Sequence, residues 1–342
     1  MAKPASRSPT LTDVARRAGV SVATASKALN KRDQVAPETR RKVLQAAADL
    51  EFQPNALARG LISGRTRTVG LLTDELGGRF AIPVLLGVEN ALGDQQMSVL
   101  LCDARGDAIR RQHYLRTLLA RQVDGIIMLG TTNDVCPSVT ADVPVPVVYA
   151  YGESDDADDL SIISDDRGGA RLAAEHLLAQ GRRAIAHVTG EEDYRAARER
   201  ADSLRVTLDE VGLPVLGGPM FGEWTQRWGR QAARMLLATQ PDVDAIFCGS
   251  DQIAVGVADA LHEAGRRIPD DIALVGYDNW EVFSADARPP LTTIDLSLQQ
   301  IGATAVRHLF AAIDGEHASG VIRQPARLVI RESTGPRRPA AR

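Results

Sequence analysis

Residues 10–30 carry the pattern that most restricts the fold of this chain, TLTDVARRAGVSVATASKALN. Gly19 can adopt the positive φ that a tight turn needs, and Ser21 is a favourable N-cap for the helix that follows. Two short helices across such a turn predict a helix-turn-helix, whose second helix enters the DNA major groove. Before the turn, apolar residues recur at the spacing of one helix face: Leu11, Val14, Ala15 and Ala18.

The charge distribution supports this interpretation. The chain of 342 residues has a net charge of −4, which alone argues against nucleic-acid binding. Residues 1–67, however, hold 13 Lys and Arg against 5 Asp and Glu, whereas the remainder holds 27 against 39. A basic head on an acidic body is expected when only the head contacts phosphates.

The head is predicted to span residues 1–53 and to be followed by a hinge at 54–66. Pro37 occupies the first position of a third predicted helix, 37–50. In the hinge, Asn55 can cap a short helix over 56–61 that neighbouring glycines weaken. The apolar residues of the third helix would close a small core: Val43, Leu44, Ala47 and Leu50.

From Thr68 onward, strand-like apolar runs alternate with amphipathic helices, which predicts an α/β body of two lobes built on parallel sheets. The body spans 67–332, and residues 333–342 form a polar tail that we expect to be disordered. We assign 67–163 and 294–320 to the first lobe, and 164–292 and 321–332 to the second. A ligand would bind between the lobes, at the carboxyl ends of the strands.

Other features narrow the class of protein. Cys102, Cys136 and Cys248 are odd in number and far apart, which favours reduced thiols and a cytoplasmic location. The N-terminus lacks the apolar region of a signal peptide, and no stretch is long enough to span a membrane. No motif for dinucleotide binding, nucleophilic catalysis or a zinc protease occurs. We therefore expect neither an enzyme nor a cofactor or metal site.

Several segments resemble the lac/gal repressor family of bacterial transcription regulators. They are LTDVARRAGVSVATASKALN at 11–30, VAPETRRKV at 35–43, PNALARGL at 54–61, SDQIAVG at 250–256, VGYDN at 275–279 and PPLTTI at 289–294. The resemblance implies a helix-turn-helix head, a hinge helix and a core like that of periplasmic sugar-binding proteins. It also implies a dimer or tetramer on a palindromic operator, with a small effector, often a sugar, in the cleft. Because no leucine heptads follow Arg331, we expect a homodimer.

In the predicted recognition helix, Val22 and Ala23 lie where base edges are contacted, and both can touch a thymine methyl group. Lys27, one turn further, can donate to guanine. The alternative for Val22 and Ala23 is packing within the head. Ser21, Thr24, Ser26 and Asn30 are short polar residues suited to phosphates or base edges. By resemblance, Thr39 matches a phosphate contact of the family, and Thr10 completes the predicted DNA-binding surface.

The hinge residue singled out by the resemblance is Leu61. The matching leucine of the family enters the minor groove at the operator centre, and an apolar wedge of this kind kinks DNA. Asn55, Ala56 and Arg59 match positions along the same groove. The alternative is that Leu61 packs on the body.

The resemblance also implies an effector site. Asp278 ends a strand, and Arg200 matches an arginine that clamps ligand hydroxyls or carboxylates. The alternatives are a solvated turn for Asp278 and a surface ion pair with Glu199 or Asp202 for Arg200. Phe80 and Trp224 could stack on a sugar or pack in the core. The predicted effector-binding residues are Asp74, Phe80, Tyr149, Arg200, Trp224, Ser250 and Asp278, with Arg79 and Tyr151 as neighbouring candidates.

These features together predict an allosteric transcription regulator, a repressor that binds double-stranded DNA and is controlled by a small molecule. The alternative is a solute-binding protein with no DNA role, which the body alone would fit. The basic head and the missing signal sequence argue against it.

Overall fold

The computed structural model describes residues 9–29, 35–52, 65–94 and 97–335. The chain divides into two compact units. The first, Met1–Arg67, includes both the predicted head and the predicted hinge and is called the head from here on; the second, Thr68–Arg342, is called the core. Among the predicted DNA-binding residues, Asn30 and the hinge residues Asn55, Ala56, Arg59 and Leu61 lie outside the described residues.

The described residues of the head form three helices, α1 (Leu11–Ala18), α2 (Val22–Leu29) and α3 (Pro37–Asp49). Gly19 ends α1 with a φ of 67°, as its place in the turn predicts. The hydroxyl of Ser21 accepts a hydrogen bond from the Thr24 N–H at 3.1 Å, which confirms the predicted cap of α2. The buried apolar residues of the head are Val14, Ala15, Ala25, Ala28, Val35, Val43, Ala46 and Ala47.

The prediction that Leu44 of α3 is buried within the head is wrong. Leu44 is 50% exposed, and Ala46 is buried in its place. The buried face of α3 runs through Val43, Ala46 and Ala47, and successive helical residues are rotated by about 100°. Leu44 therefore points away from the other two helices.

Within its described residues, the core has two six-stranded sheets that define its two lobes, and the predicted two-lobed α/β fold with parallel sheets is confirmed. The first lobe has the strand order β13-β7-β5-β3-β1-β2, and all of its pairings are parallel. Its strands are β1 (Thr68–Thr73), β2 (Ser98–Asp103), β3 (Gly125–Leu129), β5 (Val147–Ala150), β7 (Leu160–Ser164) and β13 (Gly320–Gln324). Two short strands, β4 (Val135–Cys136) and β6 (Glu153–Ser154), form a separate pair.

The second lobe has the strand order β14-β12-β11-β10-β8-β9, in which only β14 is antiparallel to its neighbour. Its strands are β8 (Ile185–Val188), β9 (Pro219–Met220), β10 (Ala245–Cys248), β11 (Ala273–Tyr277), β12 (Thr292–Asp295) and β14 (Arg327–Val329). The core helices are α4 (Ala81–Asp94), α5 (Ala108–Ala120), α6 (Asp166–Ala179), α7 (Arg195–Asp209), α8 (Gln226–Thr239), α9 (Asp251–Glu263), α10 (Glu281–Ser284) and α11 (Leu298–Ile313).

Two crossovers between the lobes fall later in the chain than predicted. Strand β12 pairs with β11, so residues 292–295 belong to the second lobe, whereas the first lobe was predicted to resume at residue 294. Strand β13 pairs in parallel with β7, so residues 321–324 belong to the first lobe. Strand pairing decides these boundaries, and the sequence alone does not show which strands pair.

Candidate functional site

The exposed face of α2 carries the residues predicted to contact DNA bases. Val22 is 43% exposed, and Ala23 and Lys27 are exposed beside it. Ala25 and Ala28 on the opposite face are buried in the head. Val22 and Ala23 are therefore not used for packing within the head, and a small apolar patch with one lysine faces outward.

The remaining described residues of the predicted DNA surface are partly engaged within the head. The Thr10 hydroxyl accepts from the Asp13 N–H at 3.4 Å and the Asp13 carboxylate accepts from the Thr10 N–H at 2.9 Å, which closes a capping box on α1. Ser21 caps α2, and its hydroxyl lies 2.8 Å from that of Thr24. Thr24, Ser26 and Thr39 are half-buried. Their contacts with DNA stay predictions.

In the core, Arg200 lies at the centre of a buried polar cluster. Its Nε donates to Oδ1 of Asp166 at 2.7 Å, and its Nη1 donates to the Gly249 carbonyl at 2.5 Å. Its guanidinium stacks 3.7 Å from the Tyr277 ring centroid and 5.8 Å from that of Trp224. With 2% of its surface exposed, Arg200 is not the surface residue of the alternative interpretation.

Charges around Arg200 hold it in its ionised form. Burial lowers the pKa of Arg200, but negative charges led by the Asp166 carboxylate more than offset this, so the pKa lies above its ordinary value. Asp166 also accepts a hydrogen bond from the Asn133 side chain, which reaches it from the first lobe. The cluster thus joins both lobes.

Asp278 is also buried, so it is not a solvated turn residue. Burial raises the pKa of Asp278, and the positive charges of Arg79 and Arg200 oppose the rise only in part. Within the described residues, neither carboxylate oxygen has a hydrogen-bond partner, although Arg79 lies within ion-pair distance. Its φ of 98° is strained for a residue other than glycine. Unmet acceptors and backbone strain in one buried residue are features of a binding site.

A cavity of about 690 Å³ lies beside Asp278, within the range of small-molecule sites. Residues from both lobes line it, among them Arg79, Phe80, Asp278, Trp280, Asp295 and Arg327. Phe80 packs 4.9 Å from the ring of Tyr151. The cavity therefore combines aromatic faces with charged groups, as a site for a polar small molecule requires.

Three other predicted effector residues, Asp74, Ser250 and Trp224, are not among the residues that line this cavity. Asp74 is half-exposed and pairs with Arg111, whose Nη2 lies 2.5 Å from Oδ2. Ser250 is buried, and its hydroxyl caps α9 by accepting from the Ile253 N–H at 3.2 Å. Trp224 is half-buried between Arg200 and Tyr194. Their contacts with an effector stay predictions.

The placement of Tyr149 in the cleft is wrong. It does not line the cavity; its ring is buried in a cluster with Leu72 and Leu115, and its hydroxyl accepts from the Val139 N–H at 2.8 Å. Tyr149 lies within β5, so its side chain packs against the sheet among apolar residues and does not extend from the carboxyl end of the strand. Tyr151, just past the strand end with a φ of 53°, packs against Phe80, which lines the cavity.

Sequence reasoning missed Asp251, the first residue of α9. It accepts hydrogen bonds from the Thr293 hydroxyl at 2.6 Å and from the Trp280 N–H at 2.7 Å. Burial, and then the charge of Asp278, raises the pKa of Asp251 to about 8. Asp251 thus holds the backbone that positions Trp280 at the cavity. The available signal was its place three residues after the end of strand β10, next to Ser250.

A buried histidine beside this cluster gives the core an acid-sensitive group. His187 stacks on Phe247 at 4.8 Å, and burial lowers its pKa from 6.5 to about 4. Since His187 has the lower pKa in the folded state, the free energy of unfolding has its full value above pH 6.5. It decreases as the pH falls from 6.5 toward 4. We expect His187 to lower the free energy of unfolding by about 2–3 kcal/mol between about pH 7.5 and about pH 4.5, as measured by urea unfolding at the two pH values.

His187→Gln should reduce this acid-dependent loss, whereas His262→Gln, which replaces an exposed histidine, should leave it as in the wild type. An equal loss in His187→Gln and the wild type would remove His187 as the cause.

Within the described residues, no group of three or more His, Cys, Asp or Glu side chains is arranged to hold a metal ion. The described part of the chain also has no helix that is long and apolar enough to cross a membrane.

Two family models match the chain. Residues 10–55 match the model described as bacterial regulatory proteins, lacI family, and residues 174–334 match a periplasmic binding protein-like domain. The repressor PurR of Aliivibrio salmonicida is 31% identical over 328 residues, which cover 95% of this chain and 98% of that protein. The ribose operon repressor of Escherichia coli is 35% identical over 300 residues, covering 87% and 91%.

A solved structure is similar over nearly the whole chain. The lac repressor dimer bound to operator and the anti-inducer ONPF aligns with a TM-score of 0.75 and 29% identity. The alignment covers 96% of this chain and all of that one.

Proposed function

Because the chain belongs to the lacI family of bacterial regulatory proteins, we propose that it represses transcription from a palindromic operator and that a sugar bound between the core lobes controls its operator affinity. The relatives named above are repressors, and we propose that this chain catalyses no reaction. Turnover of any sugar incubated with the purified protein would contradict that part of the proposal.

The observation that carries the proposal is the outward face of α2. Val22, Ala23 and Lys27 are exposed together on a basic head, and the head's own core does not use them. An α-helix with such a face fits the major groove, where apolar groups meet thymine methyls and lysine meets guanine acceptors. A solute-binding protein has no use for this surface.

The proposal includes a homodimer in the cytoplasm. One three-helix head covers a single half-site, so a two-fold symmetric pair of heads requires a palindromic operator. The lac repressor neighbour is a dimer bound to operator, which supports the same assembly for this chain.

A sugar is the effector class that best suits the cavity. Asp278 offers two acceptor oxygens with no hydrogen-bond partner in the described structure, and Phe80 and Trp280 offer ring faces. Thermal unfolding of the full chain with D-ribose, D-glucose or cellobiose at millimolar concentrations tests this class. We expect one of them to raise the Tm, because a ligand that binds only the folded state stabilises it. Operator binding without any such rise would contradict a sugar effector of this set.

Lys27→Ala is expected to weaken operator binding by about 1–3 kcal/mol and to relax preference at one operator position. The reason is that Lys27 is the exposed cation of the α2 face. Fluorescence anisotropy with the operator and its single-base variants measures both effects.

Lys42→Ala is the matched control. Lys42 is exposed on α3 and pairs with Glu38 at 3.0 Å, so its loss should change no base preference. An unaltered base-preference profile in Lys27→Ala would exclude Lys27 from base recognition.

A further inference from the structure

Arg79 lines the cavity in which, under the proposed function, the effector binds. Arg79 precedes α4 in the first lobe, and Asp278 follows β11 in the second. The Arg79 Nη2 atom is 2.9 Å from Oδ2 of Asp278, with side chains 17% and 2% exposed. This ion pair therefore spans the two lobes and is largely shielded from the screening that weakens surface pairs.

Arg79 also covers the aromatic faces of the cavity. Its guanidinium carbon is 4.5 Å from the ring centroid of Phe80 in the first lobe and 5.5 Å from that of Trp280 in the second. Both distances are within the range of cation–π contacts. The ring faces on which a ligand would stack are thus in contact with a side chain of the protein itself.

The contact with Asp278 is incomplete in a way that a ligand can improve. Both carboxylate oxygens lack a hydrogen bond within the described residues, because Arg79 meets the distance for an ion pair but not the geometry for a hydrogen bond. Arg200 Nη1 is 3.9 Å from Oδ1, which is also too far for one. Hydroxyl donors would satisfy these buried acceptors.

Arg200, the other arginine near Asp278, is held by hydrogen bonds that a ligand in the cavity would not replace. Arg200 donates at 2.7 Å to Asp166 and at 2.5 Å to the Gly249 carbonyl, so it is fixed within its cluster. Arg79 is held at the cavity by one carboxylate and two ring faces, all of which a polyhydroxylated ligand can take over.

On the basis of the proposed function, we propose that Arg79 is an internal latch. In the effector-free protein it holds the two lobes together through Asp278 and Trp280, and the effector displaces it to reach the same groups. The latch keeps the two lobes of the core closed when no ligand is bound. To displace it, the effector must interact more favourably with Asp278 and Trp280 than Arg79 does.

Hydrogen exchange of the full-length, ligand-free protein tests the latch directly. Arg79→Met removes the charge but keeps the length of the side chain. We expect exchange to rise roughly tenfold in peptides covering 79–84 and 278–284, because these segments meet across the latch. Arg171→Met is the matched control, since Arg171 pairs with Glu175 and Glu210 within the second lobe only. It should leave both peptides unchanged.

Equal exchange of these peptides in Arg79→Met and the wild type would overturn the proposal. If Arg79→Met does not fold, Arg79→Lys replaces it, since lysine keeps the charge but loses the planar stacking. In Arg79→Lys we expect a smaller rise in hydrogen exchange, confined to the same two segments. No rise in exchange would overturn the latch.

Ligand titration separates failure of the latch from failure of the proposed function. The sugar that stabilises the wild type should bind Arg79→Met roughly tenfold more tightly, because the latched fraction no longer reduces the apparent affinity. Weaker binding by Arg79→Met would make Arg79 a ligand contact and overturn the latch. If no sugar stabilises the wild type, the proposed effector class fails, and hydrogen exchange still decides the latch.

Discussion

Arg200→Met is expected to lower the free energy of unfolding of the core by about 3–5 kcal/mol, because removing one partner leaves buried carboxylates without compensation. Asp166 would lose its 2.7 Å partner, and Asp278 would lose one of two nearby positive charges. The Gly249 carbonyl would also lose a donor. Urea unfolding followed by circular dichroism measures the change.

Arg171→Met serves as the control for Arg200→Met, since it breaks an exposed ion pair in the same lobe and should change stability by less than about 1 kcal/mol. A double-mutant cycle with Asp166→Asn should be strongly non-additive, because both substitutions remove the same contact. If Arg200→Met unfolds at the wild-type urea midpoint, the buried cluster does not stabilise the core.

The second large effect is expected from Leu61→Gly, which should reduce operator affinity at least ~100-fold while leaving nonspecific DNA binding unchanged. Leu61 lies outside the described residues, and the expectation rests on its match to the family's leucine wedge. A wedge stabilises only the kinked, specific complex, whereas nonspecific binding depends on phosphate contacts. Anisotropy titrations with operator and with random duplex measure the two affinities.

Leu61→Met is the matched control, since methionine keeps an apolar side chain of similar size. It should retain most of the operator affinity. Wild-type operator affinity in Leu61→Gly would favour the alternative interpretation, in which this leucine has no role on DNA.

Local sequence signals predicted the head closely. The turn at Gly19 and the cap at Ser21 follow from the backbone preferences of single residues, and both are present. The strand and helix alternation of the core was equally readable, because each element carries its own periodicity. Leu44 was placed wrongly because several apolar residues in α3 allow more than one buried face.

The candidate site was harder to predict, because it depends on contacts between distant segments. Arg79 and Asp278 are brought together only by the fold of both lobes. Tyr149 and Tyr151 are two residues apart, and only Tyr151, in the backbone turn at the end of β5, packs against the cavity-lining Phe80. Asp251 carries no motif of its own, and its role becomes visible only through its bond to Trp280.

Selection of bound sequences from a random DNA pool, at physiological salt and with the purified full-length protein, tests the central claim most directly. We expect recovery of a palindrome whose two half-sites meet at a central step, as a homodimer with paired α2 helices requires. The selection is run without ligand and with the sugar panel, so that an effector needed for binding is also found. No enriched sequence under either condition would contradict a repressor that recognises an operator.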